Sequence, residues 1–201
     1  MNLTAQEFEV INYLDIRKSV PGVASIEGAT FLPSEQVREI LRRFEQEGYV
    51  VAGEMRITEK GEGAASKFRQ SELGESERER VAAVCETFDQ ANAKLKQLVT
   101  DWQVRRIGGA QAVNDHTDRE YDFGILSRLY DLHRRTESIF SDLLPVIARY
   151  SSYQRRLNLA VEKIREGKTE YLSRPSIDSY HTVWFELHED LLKVTGRKRD
   201  E

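Results

Sequence analysis

The chain of 201 residues has a single cysteine, no long apolar run and almost no excess of charge of either sign. Each shortage excludes something. Cys85 alone cannot close an internal disulfide or build a cysteine-based zinc cluster. Set between Val81 and Phe88, it reads as a small apolar residue on a helix face. No segment approaches the ~18 consecutive apolar residues that span a bilayer. Met1 leads directly into a polar, acidic stretch instead of a basic segment followed by an apolar one. A cytoplasmic protein without membrane contact is expected. The 30 Lys and Arg against 34 Asp and Glu leave a net charge of −4. Residues 1–70 hold 9 basic and 11 acidic side chains and the remainder 21 and 23, so neither part is a charged tail. Any nucleic-acid contact must come from a local patch.

Signatures of catalysis are scarce as well. No HExxH motif or closely spaced His/carboxylate signature of a metal site is present, so neither metal nor cofactor is expected. Gly61-Glu62-Gly63 and Gly108-Gly109 lack the strand context and remaining glycines of a nucleotide fingerprint, and read as helix-start and linker glycines. Glu186, Glu189 and Asp190 beside His188 form the densest acid/base cluster. On a helix they read as a solvated face, and the chain is not expected to be an enzyme.

With 39% apolar and 32% charged residues, the chain has room for one large or two small domains. Thr4 to Glu7 spells a capping box, and Phe8, Ile11, Leu14 and Ile16 follow at mostly helical spacing, which predicts a helix to about Lys18, stopped by Pro21-Gly22. A short helix follows from Val23 to Gly28. After Pro33, the stripe Val37, Ile40, Leu41, Phe44 predicts a third helix ending at Gly48. The period then changes. Tyr49-Val50-Val51, a turn at Ala52-Gly53-Glu54 and Met55-Arg56-Ile57 predict a small β-hairpin, and Thr58 caps another helix. That order is a winged helix-turn-helix arrangement.

Residues 37–63, VREILRRFEQEGYVVAGEMRITEKGEG, resemble winged-helix bacterial transcriptional regulators of the MarR type. The likeness rests on Val37, Leu41, Phe44, Glu45, Gly48, Ile57, Thr58 and Gly61, and covers about the first third of the chain. It implies a DNA-binding domain over residues 1–70. The tip Ala52-Gly53-Glu54 departs from the longer basic loop common in that family, which leaves Arg56 as the wing's one nearby candidate for a minor groove. A recognition helix of this kind presents its outer face to double-stranded DNA, with Ser34 and Gln36 on base edges or phosphates, Arg38 on guanine, and Arg42 and Arg43 on phosphates. Glu35 and Glu39 oppose such a contact.

Residues 71–201 read as a bundle of about four helices. Val81, Cys85, Phe88, Leu95 and Trp102 form a heptad-like stripe that needs a partner helix, in the bundle or across a homodimer. Ile107-Gly108-Gly109 breaks that helix. Ile125 to Leu143, Tyr150 to Gly167 and a last helix from near Ser176 through Ile177, Tyr180, Trp184, Leu187 and Leu191 complete the set. TDWQVR (100–105 with Arg106 following), NDHTDREYD (114–122) and DSYHTVWFELHEDLL (178–192) resemble a helical region of actinobacterial proteins, including some phosphoenolpyruvate-utilising enzymes. The resemblance hints at a portable sensory or docking unit and at an anionic, phosphorylated metabolite as effector.

All four histidines lie in this half. His181 and His188, seven residues apart, share a helix face beside Tyr180 and Trp184, and His133 flanks a neighbouring stripe. With Asp101, Trp102, Arg105, His116 and Asp118 they form one candidate ligand pocket; hydrogen-bonded core histidines are the alternative. The expected class is mainly α, and the expected function a one-component regulator with a helical effector and dimerisation body. A protein-interaction adaptor or enzyme accessory module is the other reading.

Overall fold

The computed structural model of the chain describes residues 3–197, apart from the side chain of Ile107. It is mainly helical. In chain order the helices are α1 (Ala5–Arg17), α2 (Val23–Thr30), α3 (Ser34–Gln46), α4 (Glu59–Glu72), α5 (Glu75–Gln103), α6 (Arg119–Leu143), α7 (Ser151–Arg165) and α8 (Tyr180–Thr195). Strands β1 (Val104–Ile107) and β2 (Ala110–Val113) pair antiparallel between α5 and α6. The chain divides into two compact units, residues 1–79 with 185–201, and residues 80–184. This differs from the boundary near residue 70 expected above, because the second half of α8 belongs with the N-terminal segment.

In the first unit the local rules hold closely. Thr4 accepts from the Glu7 N–H while the Glu7 carboxylate accepts from the Thr4 N–H, which starts α1. Lys18, at φ +63°, ends it. α1 is buried on nearly every face, with Phe8, Val10, Ile11 and Leu14 packed on Ile26, Val37, Leu41 and Phe44 from α2 and α3. Gly48, at φ +73°, turns the chain out of α3. The expected hairpin over 49–57 is smaller than predicted: a single Val50–Ile57 bridge and a Ser19–Arg56 bridge join three short segments. Thr58 then accepts from the Gly61 N–H to cap α4. Gly61 is required there, since a Cβ would lie 2.3 Å from the Tyr49 carbonyl oxygen.

Why the end of α8 joins this unit is plain from its buried polar side chains. Asn12 Nδ2 donates to Asp190 at 2.8 Å, and Asn12 Oδ1 accepts from Arg69 Nε at 2.9 Å and Nη2 at 2.6 Å. The same Nη2 reaches Asp15 at 2.6 Å, and Asp15 also meets Lys18 at 2.9 Å and Lys193 at 3.1 Å. Arg17 lies 3.3 Å from Glu186. Glu186 and Asp190 are therefore fully buried, not solvated as expected: Arg17 on α1 lies against Glu186, and the amide of Asn12, itself held by Arg69, donates to Asp190.

In the second unit the α5 stripe Val81, Cys85, Phe88, Leu95, Trp102 is buried within the single chain. Phe88 stacks on Trp184 at 4.6 Å, and the indole N–H of Trp184 donates to Asn92 at 3.1 Å. Gly108 and Gly109 are not linker residues as expected. Both adopt positive φ, +58° and +88°, and form the tight turn of the β1–β2 hairpin. α8 begins at Tyr180, later than the expected Ser176, so Ile177 lies before the helix.

Candidate nucleic-acid interface

α2 and α3 are joined by three residues, of which Phe31 adopts the left-handed conformation at φ +58°. Val37, Ile40, Leu41 and Phe44 bury one face of α3, and the opposite face carries Glu35, Arg38, Glu39 and Arg42 in solvent. Neighbours hold the other candidates on this helix. The Ser34 hydroxyl donates to Glu27 and the Gln36 amide to Gln6. Arg43 pairs with Glu7, the carboxylate that already closes the α1 capping box. Arg42 Nε reaches only the main-chain carbonyl of Arg38, at 3.4 Å. Arg38 and Arg42 are thus the guanidinium groups on α3 that no carboxylate engages among the described residues.

The short turn after Val50 offers little to a partner. The Gly53 N–H donates to the Glu45 carboxylate at 3.1 Å, and Arg56 pairs with Glu54 at 2.9 Å. The tip is folded back on α3 and its arginine is matched by a carboxylate on the same turn. Glu7, Glu27 and Glu45 therefore decide which groups stay available. The capping-box pattern signals Glu7, whereas Glu27 and Glu45 pair across elements and leave no local mark.

The ten residues expected to form one ligand pocket are found in separate places. Asp101, Trp102, Arg105, His116 and Asp118 gather around the base of the β1–β2 hairpin. The rings of Trp102 and His116 meet at 4.3 Å in a tilted arrangement, and Arg105 lies 3.3 Å from Asp118. His116, at φ +59°, holds its Nδ1 3.0 Å from Asp122. A second group joins His133, Tyr180 and Trp184, with ring centres 5.7 Å and 6.0 Å apart in that order. Burial, followed by the nearby Arg165, pushes the His133 imidazole below its ordinary pKa, and burial pushes the Tyr180 phenol up. Along α8 the side chains of His181, Phe185, His188, Glu189 and Lys193 are exposed or half-buried, on a strip that borders the face carrying Tyr180 and Trp184. The two imidazoles therefore lie at the half-buried edge of the aromatic face, His188 one turn after Trp184. Burial also lowers the pKa of His181.

Comparison of the chain with protein-family models, with curated proteins and with solved structures gives no match.

Proposed function

We propose that the chain is a DNA-binding transcriptional regulator whose first unit is a winged helix. One observation carries the reading: α2, a three-residue turn and α3 present a helix with one buried apolar face and an outer face bearing Arg38 and Arg42 clear of carboxylate partners. Such a helix fits a major groove, with Arg38 near its N-terminal half aimed at base edges and Arg42 at phosphate. Element order supports the same reading, because the Ser19–Arg56 and Val50–Ile57 bridges supply the minimal sheet that a winged helix needs between its helices. The wing itself contributes little, Arg56 being held by Glu54. In a homodimer two copies of α3 would lie ~34 Å apart on a palindrome. The α5 stripe is already covered within one chain and so is not the dimer seam in this proposal.

The test is selection of bound duplexes from a randomised pool at low salt, followed by anisotropy titration of the enriched sequence. Enrichment is expected, as is a slope of log affinity against log salt that becomes shallower by about 0.9 for each phosphate that Arg42→Ala no longer neutralises. Arg38→Ala should relax base preference at one position, at a cost of about 1–3 kcal/mol. A pool that emerges unenriched refutes the reading and leaves the winged helix as a protein-contact module.

A further inference from the structure

Along the outer side of α4 runs a cleft of about 550 Å³, within the range of small-ligand sites. Tyr49, Ala64 and Phe68 supply its apolar floor, and Lys60 and Lys67 stand over it. Among the described residues no carboxylate lines it, although acidic side chains outnumber basic ones in residues 1–70. The floor is partly wet: Phe68 stacks on Phe8 at 4.1 Å with its other side toward the cleft, and it is only partly buried. The lysines are seven residues apart on one helix, a rise of about 10.5 Å, so they share a face and mark two ends of the cleft. Lys60 is fixed at the Tyr49 end, where its ammonium lies 5.3 Å above the ring and donates to the main-chain carbonyl of Glu47. Lys67 is exposed at the other. Between them the cleft is open, because Gly63, three residues after Lys60 and four before Lys67 on the same helix face, has no side chain and a Cβ there would meet nothing within 4 Å.

From this arrangement we infer that the α4 cleft binds an elongated organic anion, apolar along its middle and carrying a carboxylate or phosphate toward each end. The apolar body would cover Ala64 and Phe68, removing their surface from water, while the two ammonium groups take the charged ends. A short dianion would reach one lysine and leave the floor wet. A neutral chain of the same length would cover the floor and leave both cations unmatched. The inference goes beyond the DNA-binding reading and does not depend on it.

Calorimetric titration of the full chain with sebacate, a long dicarboxylate, tests the inference against decanoate, succinate and the matching long-chain diol. Sebacate is expected to bind, decanoate about tenfold more weakly because one of its ends carries no charge, and succinate and the diol not measurably. Gly63→Leu places a side chain in the cleft and should abolish sebacate binding, while the free protein melts no earlier because leucine is the better helix former. Gly63→Ala, too small to fill the space, should retain binding, and Lys67→Gln should reduce sebacate to the level of decanoate. Equal binding of the diol would mean a greasy patch only, and equal binding of succinate two surface lysines only. Either result, no binding of sebacate, or undiminished binding by Gly63→Leu overturns the inference.

Discussion

Replacing Arg69 by methionine tests the buried polar contacts that join α8 to α1 and α4. The substitution keeps an unbranched stem as far as the Nε position, truncates the guanidinium and removes three hydrogen bonds, two to Asn12 Oδ1 at 2.9 and 2.6 Å and one to Asp15 at 2.6 Å. Asn12 Oδ1 is then left buried without a donor, a loss of about 1–3 kcal/mol. Deleting one partner of a buried ion pair costs about 3–5 kcal/mol when nothing replaces it. Lys18 and Lys193 remain 2.9 and 3.1 Å from Asp15, which softens that second loss. A destabilisation of about 3 kcal/mol is expected, seen as a fall of roughly 1–2 M in the urea midpoint by circular dichroism. The pH dependence gives a second readout. Burial alone would raise the Asp15 pKa, but Arg69, Lys18 and Lys193 together outweigh it and hold the carboxyl below the usual range. A carboxyl lowered on folding adds stability above its unfolded value of about 3.9, and that stability is lost as pH falls through the folded value. Acid unfolding of Arg69→Met should therefore move to higher pH. A urea midpoint within error of the parent would show that the network holds nothing together, and the account of why α8 belongs with the N-terminal unit would fall with it.

Two glycines in the first turns of α4 should respond in opposite directions. Gly61→Ala should destabilise, because its Cβ would sit 2.3 Å from the Tyr49 carbonyl oxygen, whereas Gly63→Ala meets nothing and should stabilise by up to about 1 kcal/mol through helix propensity; thermal melts decide. Phe88→Ala removes the ring stacked on Trp184 at 4.6 Å and should cost about 3–5 kcal/mol, with a change in tryptophan emission reporting the altered indole environment. His133 and His181 are held below their ordinary pKa, so the unfolded chain takes up protons first and stability should fall as pH drops from about 6.5. For His133 the opposing neighbours are Arg165, which adds to the lowering, and Glu137 with Asn158, which resist it. His133→Gln should flatten the decline in melting temperature between about pH 7.5 and pH 5.5, and an unchanged decline would refute the assignment.

Much of the first unit was legible because its punctuation is local. Thr4 with Glu7, Gly48 at the end of α3, and Thr58 before α4 each act within four residues, and each terminus falls where those side chains place it. The α3 stripe likewise states its own buried face through spacing alone. What lay beyond reading depends on partners distant in the chain. Glu186 and Asp190 look solvent-facing to any count of charge on a helix, and partners such as Arg17 and Asn12, some 170 residues earlier, help make their burial tolerable. The histidine spacing of seven correctly places His181 and His188 on one face of α8, yet spacing cannot say which face. α8 buries Tyr180, Val183, Trp184, Glu186, Leu187 and Asp190 over most of its circumference, so the imidazoles occupy the strip that remains.

The hairpin at 104–113 escaped for a different reason. Strands of four residues carry two inward positions at most, too few for an alternating pattern to stand out, and β2 is largely exposed, so no apolar face announces it. Gly108-Gly109 was the available signal, since two consecutive residues at positive φ suit a two-residue hairpin turn. The bridges around Val50 and Ile57 are shorter still, and without the Thr58 cap and the Gly61 contact behind them they would have nothing to hold their register. The position of α3 against its neighbours therefore rests on Glu7, Thr58 and Gly61 more than on the small sheet. A substitution at Gly61 should disturb DNA binding through the placement of α3 even though Gly61 lies outside the proposed contact face. Arg42→Ala, in contrast, should leave the melting temperature unchanged while weakening the complex, and anisotropy together with thermal melts on both variants separates the two effects.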